Sequence, residues 1–342
     1  MKSILKTTAL IILFFSCINL KSQTAVQYME KISKEFSKIS EETWDYTRAV
    51  AHGKKAKQIE NRRRDMINAN RSGLNKIKNM QPFNGDASYR DSTVRYLELS
   101  YAVLNNDYSK IVDMEEISEQ SYDAMEAYMT AQEKANEKLE AAFEVAARGQ
   151  RDFAKNNNIN LLDNESKTNE KLEKASDVFK FYNKIYLIFF KPYKQEVYLI
   201  EAQSKGDINA MKQNQEALAK LAKEAKESLK DVKPYQNNTT LKASATDVLD
   251  FYIYESGKIS SLIDFYLKKE KFDKLKTAMD KKGQKASNEE INEFNAAVND
   301  FNKAGADYNN VNNDLNKKRA DFLNTWNNSV SKFLDRNVSK KK

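Results

Sequence analysis

From Ser287 to the C-terminus no proline interrupts the chain, and the apolar residues keep a helical rhythm throughout. The segment opens with Ser287-Asn-Glu-Glu290, the spacing of a capping box, in which the serine side chain and the glutamate three residues later satisfy each other's free backbone N–H groups. Ile291, Phe294, Val298, Phe301, Gly305 and Tyr308 then recur three or four residues apart, and Val311, Leu315, Phe322, Trp326, Val330 and Phe333 continue the stripe with a slow drift. At 1.5 Å per residue such a helix approaches about 70 Å. A stripe of that length is buried only against other long helices, so this segment predicts an all-α fold of elongated, antiparallel helical bundles.

The rest of the chain repeats the pattern. Met29, Ile32, Phe36, Ile39, Tyr46 and Val50 form one stripe, with Thr43 filling its gap, and residues 108–155 form another through Met125, Tyr128, Ala135, Leu139, Ala142, Ala146 and Phe153. Only three prolines and eight glycines punctuate the 342 residues, so each marks a joint. Two of the prolines sit in segments that align without a gap, residues 77–99 and 229–251. Pro82 falls over Pro234, Phe83 over Tyr235, Ser88 over Thr240, Arg90 over Lys242, Ser92 over Ser244 and Leu97 over Leu249. A helix stops before each proline, because proline disfavours the α conformation of its predecessor, and a polar turn leads into a new apolar helix. This predicts one helix-to-helix corner used twice, in two tandem bundles over residues 23–160 and 161–338, joined in the asparagine-rich stretch 155–167 and followed by a basic tail, residues 339–342. Both closing helices end comparably, with Arg151, Phe153 and Asn157 in one and Arg319, Phe322 and Asn327-Asn328 in the other.

Residues 1–22 read as a signal peptide, with Lys2 and Lys6 ahead of an apolar run from Ala9 to Phe15. Two processing routes fit: Cys17 after Ser16 as a lipoprotein cysteine, or cleavage by an ordinary signal peptidase at Ser22-Gln23, which Phe14 and Phe15 favour. Membrane anchoring follows only if Cys17 is lipidated. Cys17 is the one cysteine, so no disulfide supports the mature fold. Removing residues 1–22 takes three lysines from 57 basic residues, leaving 54 against 49 acidic ones, a net charge of +5. That mild bias permits contact with anionic envelope polymers without requiring it.

The chemistry is defined mainly by what one chain lacks. His52 is the only histidine, so no zinc site with two histidines and no Glu-x-x-His di-iron pair can form, and no transition-metal cofactor is expected. Beside Gly53, Lys54 and Lys55, His52 reads as part of a solvated basic helix. Glu119, Asp123 and Glu126 share a helical face without the glycine and spacing of a calcium loop, which is the pattern of a solvated face. No phosphate-binding glycine loop or nucleophile elbow occurs, and no catalytic residue is assigned. Lys54, Lys57, Arg62 and Arg64 form the densest cationic run, yet helical spacing spreads them around the axis, the pattern of a solubilising surface, and no nucleic-acid partner is expected. The most apolar stretch is residues 177–202. Its run from Ile185 to Phe190 is bounded by Lys184, Lys191 and Pro192, too short for the roughly 20 residues of a membrane-spanning helix. It reads as a helix buried in a bundle and kinked near Pro192, with a stored membrane-inserting tongue as the alternative.

The leader, the helical body and the Pro-Phe and Pro-Tyr corners together resemble uncharacterised all-helical surface proteins of Bacteroidetes and spirochaetes, and the Leu20-Lys-Ser-Gln23 leader end is similar to secretory leaders of flavobacteria. The resemblance implies a periplasmic, outer-membrane-associated or surface location in a Gram-negative bacterium and supplies no catalytic residue. The resulting expectation is an exported, non-enzymatic envelope protein, a binding or scaffolding module whose partner is another envelope protein or an anionic envelope polymer. A pore-forming-like protein built on residues 177–202 and a carboxylate-dependent enzyme are the alternatives.

Overall fold

The computed structural model describes residues 24–107, 118–161 and 167–340. Within them lie eight α-helices and no β-strand: α1 Ala25–Ala51, α2 Ala56–Lys78, α3 Ser88–Ala102, α4 Tyr122–Asn156, α5 Lys167–Lys205, α6 Ile208–Lys230, α7 Thr240–Lys282 and α8 Asn288–Asn337. A π-helical turn, Val103–Asp107, follows α3, and a 3-10 turn, Gly283–Lys285, joins α7 to α8. The predicted signal peptide with Cys17, and the last two residues of the basic tail, lie outside the described residues. So do residues 108–117, so the stripe predicted from residue 108 is a helix from Tyr122 onward, capped by the Ser121 side chain.

The helices start where side chains can take up the free N–H groups of a first turn. Thr24 and Gln27 form a capping box on α1, Asp207 accepts from the Ala210 N–H at 3.0 Å on α6, and Ser287 and Glu290 form the predicted capping box on α8.

Two main hydrophobic cores result. Helices α1 to α4 enclose the first, with Tyr28, Ile32, Ile77, Tyr89, Leu97 and Phe153 buried. Helices α5 to α8 enclose the second and larger one, with Val178, Ile185, Phe189, Leu218, Tyr252 and Trp326 buried. Helix α1 contributes to both. Its N-terminal stripe through Met29, Ile32 and Ile39 serves the first core, whereas Trp44 and Ala51 join the second. Val50, predicted in the stripe, is 38% exposed, and Trp44 is the buried residue of that end at 3%. The stripe turns around the helix because the α1 C-terminus lies against α5, where Lys171 Nζ sits 5.6 Å from the Trp44 ring centroid.

Residues 177–202 lie wholly inside α5, which continues as one helix through Pro192. Ile185, Phe189, Phe190 and Leu199 are buried in the assembled fold, and Phe189 stacks on Trp326 with ring centroids 4.7 Å apart. Fully burying each such side chain contributes about 1.5–3 kcal/mol. Among the described residues no helix is long and apolar enough to cross a membrane.

The two aligned corners have the same local geometry. After Pro82, Phe83 and Asp86 exchange backbone hydrogen bonds at 2.9 Å around Asn84 and Gly85, both at positive φ. After Pro234, Tyr235 and Asn238 pair around Gln236 and Asn237, also both at positive φ. Asp86 Oδ1 accepts from the Ser88 N–H at 2.8 Å, and Asn238 Oδ1 from the Thr240 N–H at 2.9 Å. Arg90 Nη1 donates to the Met80 carbonyl at 2.8 Å, and Lys242 Nζ to the Val232 carbonyl at 3.0 Å. Each corner closes a triangle of rings, Tyr28–Phe83–Phe153 in one and Phe181–Tyr235–Phe333 in the other. The closing helices therefore correspond in a register other than the one aligned from sequence. Asn157 Nδ2 caps the Phe153 carbonyl at 2.9 Å, and its counterpart is Asn337 Nδ2 on the Phe333 carbonyl at 2.8 Å. Phe322 instead stacks on Phe251, well before the end of α8.

Candidate functional site

His52 stands at the C-cap of α1, with Gly53 at φ +56 turning the chain toward α2. Its side chain is only 7% exposed, and Nδ1 lies 2.7 Å from Asp335 Oδ1 near the end of α8. The predicted solvated basic helix is thus a turn at residues 52–55, where the chain leaves α1, and His52 is a clasp between the chain's two halves. Arg48 Nη1 strengthens the clasp by donating to the Lys340 carbonyl at 2.8 Å. Lys54 and Lys57 are exposed. Arg62 reaches Asp65 at 3.6 Å and Asp45 at 3.8 Å, and Arg64 reaches Glu60 at 3.9 Å, so the arginines of the cationic run already have carboxylate neighbours. Glu119, Asp123 and Glu126 are all exposed.

The densest polar chemistry lies elsewhere, between α5, α7 and α8. Arg319 Nε donates to Glu196 Oε1 at 2.6 Å, Arg319 Nη2 donates to Glu255 Oε1, and Nη1 donates to Asn316 Oδ1. Both glutamates are 1% exposed. Burial, reinforced by the Glu196 charge and opposed by Arg319, pushes the Glu255 carboxyl up to about 8. Burial also carries the neighbouring Tyr252 hydroxyl well above its ordinary value. Glu255 therefore keeps its proton at neutral pH. A cleft of about 260 Å³ opens beside Arg319, lined by Gln203, Ser204, Tyr308, Asn312 and Asn316. Gln203 Nε2 donates to the Tyr308 hydroxyl and to Asn312 Oδ1, each at 3.0 Å, so these cleft groups are engaged with one another. The geometry is that of a clamp tying three helices: Arg319 Nε and Nη2 face the buried Glu196 and Glu255 on two other helices, while Nη1 faces the exposed Asn316 on its own helix.

This cluster was missed in the sequence, where its signal is a charge in an apolar stripe. Arg319 falls four residues after Leu315 and three before Phe322, on the same helical face as both, and Glu196 lies within the apolar stretch of residues 177–202.

A second feature is extended rather than chemical. The Tyr266 hydroxyl donates to the Gln203 carbonyl at 2.7 Å, which places the ends of α5 and α6 level with Tyr266 and Tyr308. Helix α7 runs on to Lys282, a further 16 residues or about 24 Å, and α8 returns alongside it. This two-helix arm, residues 267–307, is held internally by rings: Phe265 on Phe301 at 5.6 Å, Phe272 on Phe301 at 4.9 Å and Phe272 on Phe294 at 6.0 Å. Lys268–Asp300 at 3.6 Å and a Lys282–Glu290 pair tie the two helices together.

No family model, curated protein or solved structure matches the chain.

Among the described residues the arm has no counterpart in the first half. Val103 stands where Glu255 does in the aligned corners, and there α3 gives way to the π-helical turn, whereas α7 continues for 27 residues past Glu255. The arm therefore adds length without adding to either main core. Its outer residues include Leu267, 45% exposed, and Ile291, 38% exposed.

Proposed function

We propose that the chain is an exported, non-enzymatic protein of a Gram-negative cell envelope, a helical scaffold or binding module that meets its partner through the arm of α7 and α8. The arm carries this reading. A hairpin extending about 24 Å beyond the bundle buries little of its own surface, and its rigidity, set by stacked rings and a capped turn, suits a contact element. The two cores and the Arg319 clamp hold the base from which it projects. The leader supports export, and the mild positive charge of the mature chain is compatible with another envelope protein or an anionic envelope polymer as partner.

Site-specific photo-cross-linking in intact cells tests this. A photoreactive residue at Leu267 or Ile291 is expected to give a discrete higher-mass adduct, while one at Phe143, equally exposed on α4 at 44%, gives none. Adducts from Phe143 alone, or none from the arm, overturn the reading.

A further inference from the structure

The arm's charges are segregated by helix. Residues 267–285 carry eight lysines and three carboxylates, a net charge of +5, while residues 288–307 carry one lysine and five carboxylates, a net charge of −4. Pairing within the arm uses only part of this. Lys268–Asp300 and Lys282–Glu290 join the helices, and Lys269–Asp273 and Lys274–Glu270 form along α7. Among the described residues, Lys271, Lys276, Lys281 and Lys285 on one side and Glu289, Glu293 and Asp307 on the other make no ion pair. The arm is thus a basic helix beside an acidic helix, each with charge to spare, and with Leu267 and Ile291 at the surface.

We propose that the arms of two copies of this chain associate side by side, tips together, as an antiparallel four-helix bundle, with α7 of each beside α8 of the other. This names the partner within the contact-arm reading and rests on it. The charges select both the occupant and the symmetry. A two-fold axis running along the arm sets each basic α7 against an acidic α8, whereas a two-fold crossing the arm in the plane of contact stacks α7 on α7 and lysine on lysine. Two hairpins meeting in the first way form the up-down-up-down arrangement of a four-helix bundle. That packing covers Leu267 together with the half-buried Phe272, Leu275, Met279 and Phe294, apolar surface that two helices alone leave open to water.

The test is the molar mass of the purified chain by size exclusion with light scattering, on the parent and two charge-reversed variants. One variant carries Lys271→Glu, Lys276→Glu, Lys281→Glu and Lys285→Glu; the other carries Glu289→Lys, Glu293→Lys and Asp307→Lys. Circular dichroism confirms that each keeps the parent's helicity. At low salt the parent has twice the mass of one chain, each variant alone has the mass of one chain, and their equimolar mixture doubles again, because the reversed helices complement each other. A parent at single-chain mass, a variant that stays doubled alone, or a mixture that stays single overturns the pairing. A single-chain parent that still cross-links through Leu267 to another envelope component overturns this pairing alone and leaves the contact-arm reading standing.

Discussion

Arg319 and Glu196 meet inside the second bundle with Nε 2.6 Å from Oε1, and the same guanidinium holds Glu255 with a second nitrogen. One guanidinium thus serves two carboxyl groups sealed from water, of which Glu255 keeps its proton at neutral pH.

Removing the cation is therefore far costlier than removing the whole cluster. Arg319→Met strands two buried carboxyl groups and is expected to lower stability by about 3–5 kcal/mol. The triple variant Glu196→Leu, Glu255→Leu, Arg319→Met is expected to be neutral or more stable than the parent. Glu255 Oε2 and the Tyr252 hydroxyl, both buried, have no hydrogen-bond partner among the described residues, so Tyr252→Phe is expected to be neutral to mildly stabilising. Urea denaturation of the three variants checks the order.

The same cluster sets a pH dependence. In the unfolded chain Glu255 releases its proton near the ordinary value of 4.5, while in the folded chain it holds the proton up to about 8. Between these values the folded state binds more protons, so this residue's contribution to stability falls as pH rises from 4.5 to 8 and is level above that. Ion-paired surface carboxylates act in the opposite sense at lower pH, as Glu60 does where its hydrogen bond to Arg63 holds it below its usual value. Glu255→Gln is expected to flatten the fall between pH 4.5 and 8 and leave the acid limb unchanged. Melting temperatures of parent and variant across that range read the difference directly.

Helix α5 is expected to behave as core. Phe189→Ala removes a ring stacked on Trp326 and is expected to cost about 3–5 kcal/mol, more than Ile188→Ala, whose parent side chain is only half-buried. Neither the parent nor either variant is expected to release dye from anionic liposomes. Leakage by the parent that Phe189→Ala abolishes without a change in melting would restore the membrane-inserting alternative.

The corners predict an asymmetry between glycine and asparagine. Gly85 sits at φ +86, so Gly85→Val is expected to cost about 1–2 kcal/mol. Asn237, at φ +63 in the second corner, is expected to gain up to about 1 kcal/mol on replacement by glycine. Chemical denaturation of each single variant measures both.

The stripes and stops of the sequence carry the helices well, because periodicity reports which face of a helix is apolar, and Pro82, Pro234 and Ser287 sit where helices end or begin. They do not report which neighbour that face meets. Trp44 belongs to the second core because the α1 C-terminus lies against α5, a tertiary relation that no local pattern encodes. The register of α8 against α4 slipped for the same reason: Phe322 and Phe333 are equally good stripe residues, and only the ring triangle around Tyr235 identifies Phe333 as the counterpart of Phe153. His52 was misplaced because a Gly-Lys-Lys run reads as solvated helix until Asp335 is brought against it. The arm was visible as unbroken rhythm, while its projection depends on where α5 stops and α6 begins.

Native electrophoresis of envelope extract tests the arm most directly, comparing the full chain with one in which residues 268–303 are replaced by a short glycine-containing turn. The excised chain is expected to keep the circular dichroism melting transition of the two-core body, since the arm contributes to neither main core. The full chain is expected to migrate in an assembly larger than itself and the excised chain as the free chain. An excised chain that migrates in the same assembly as the full one contradicts the assignment of the arm as the contact surface.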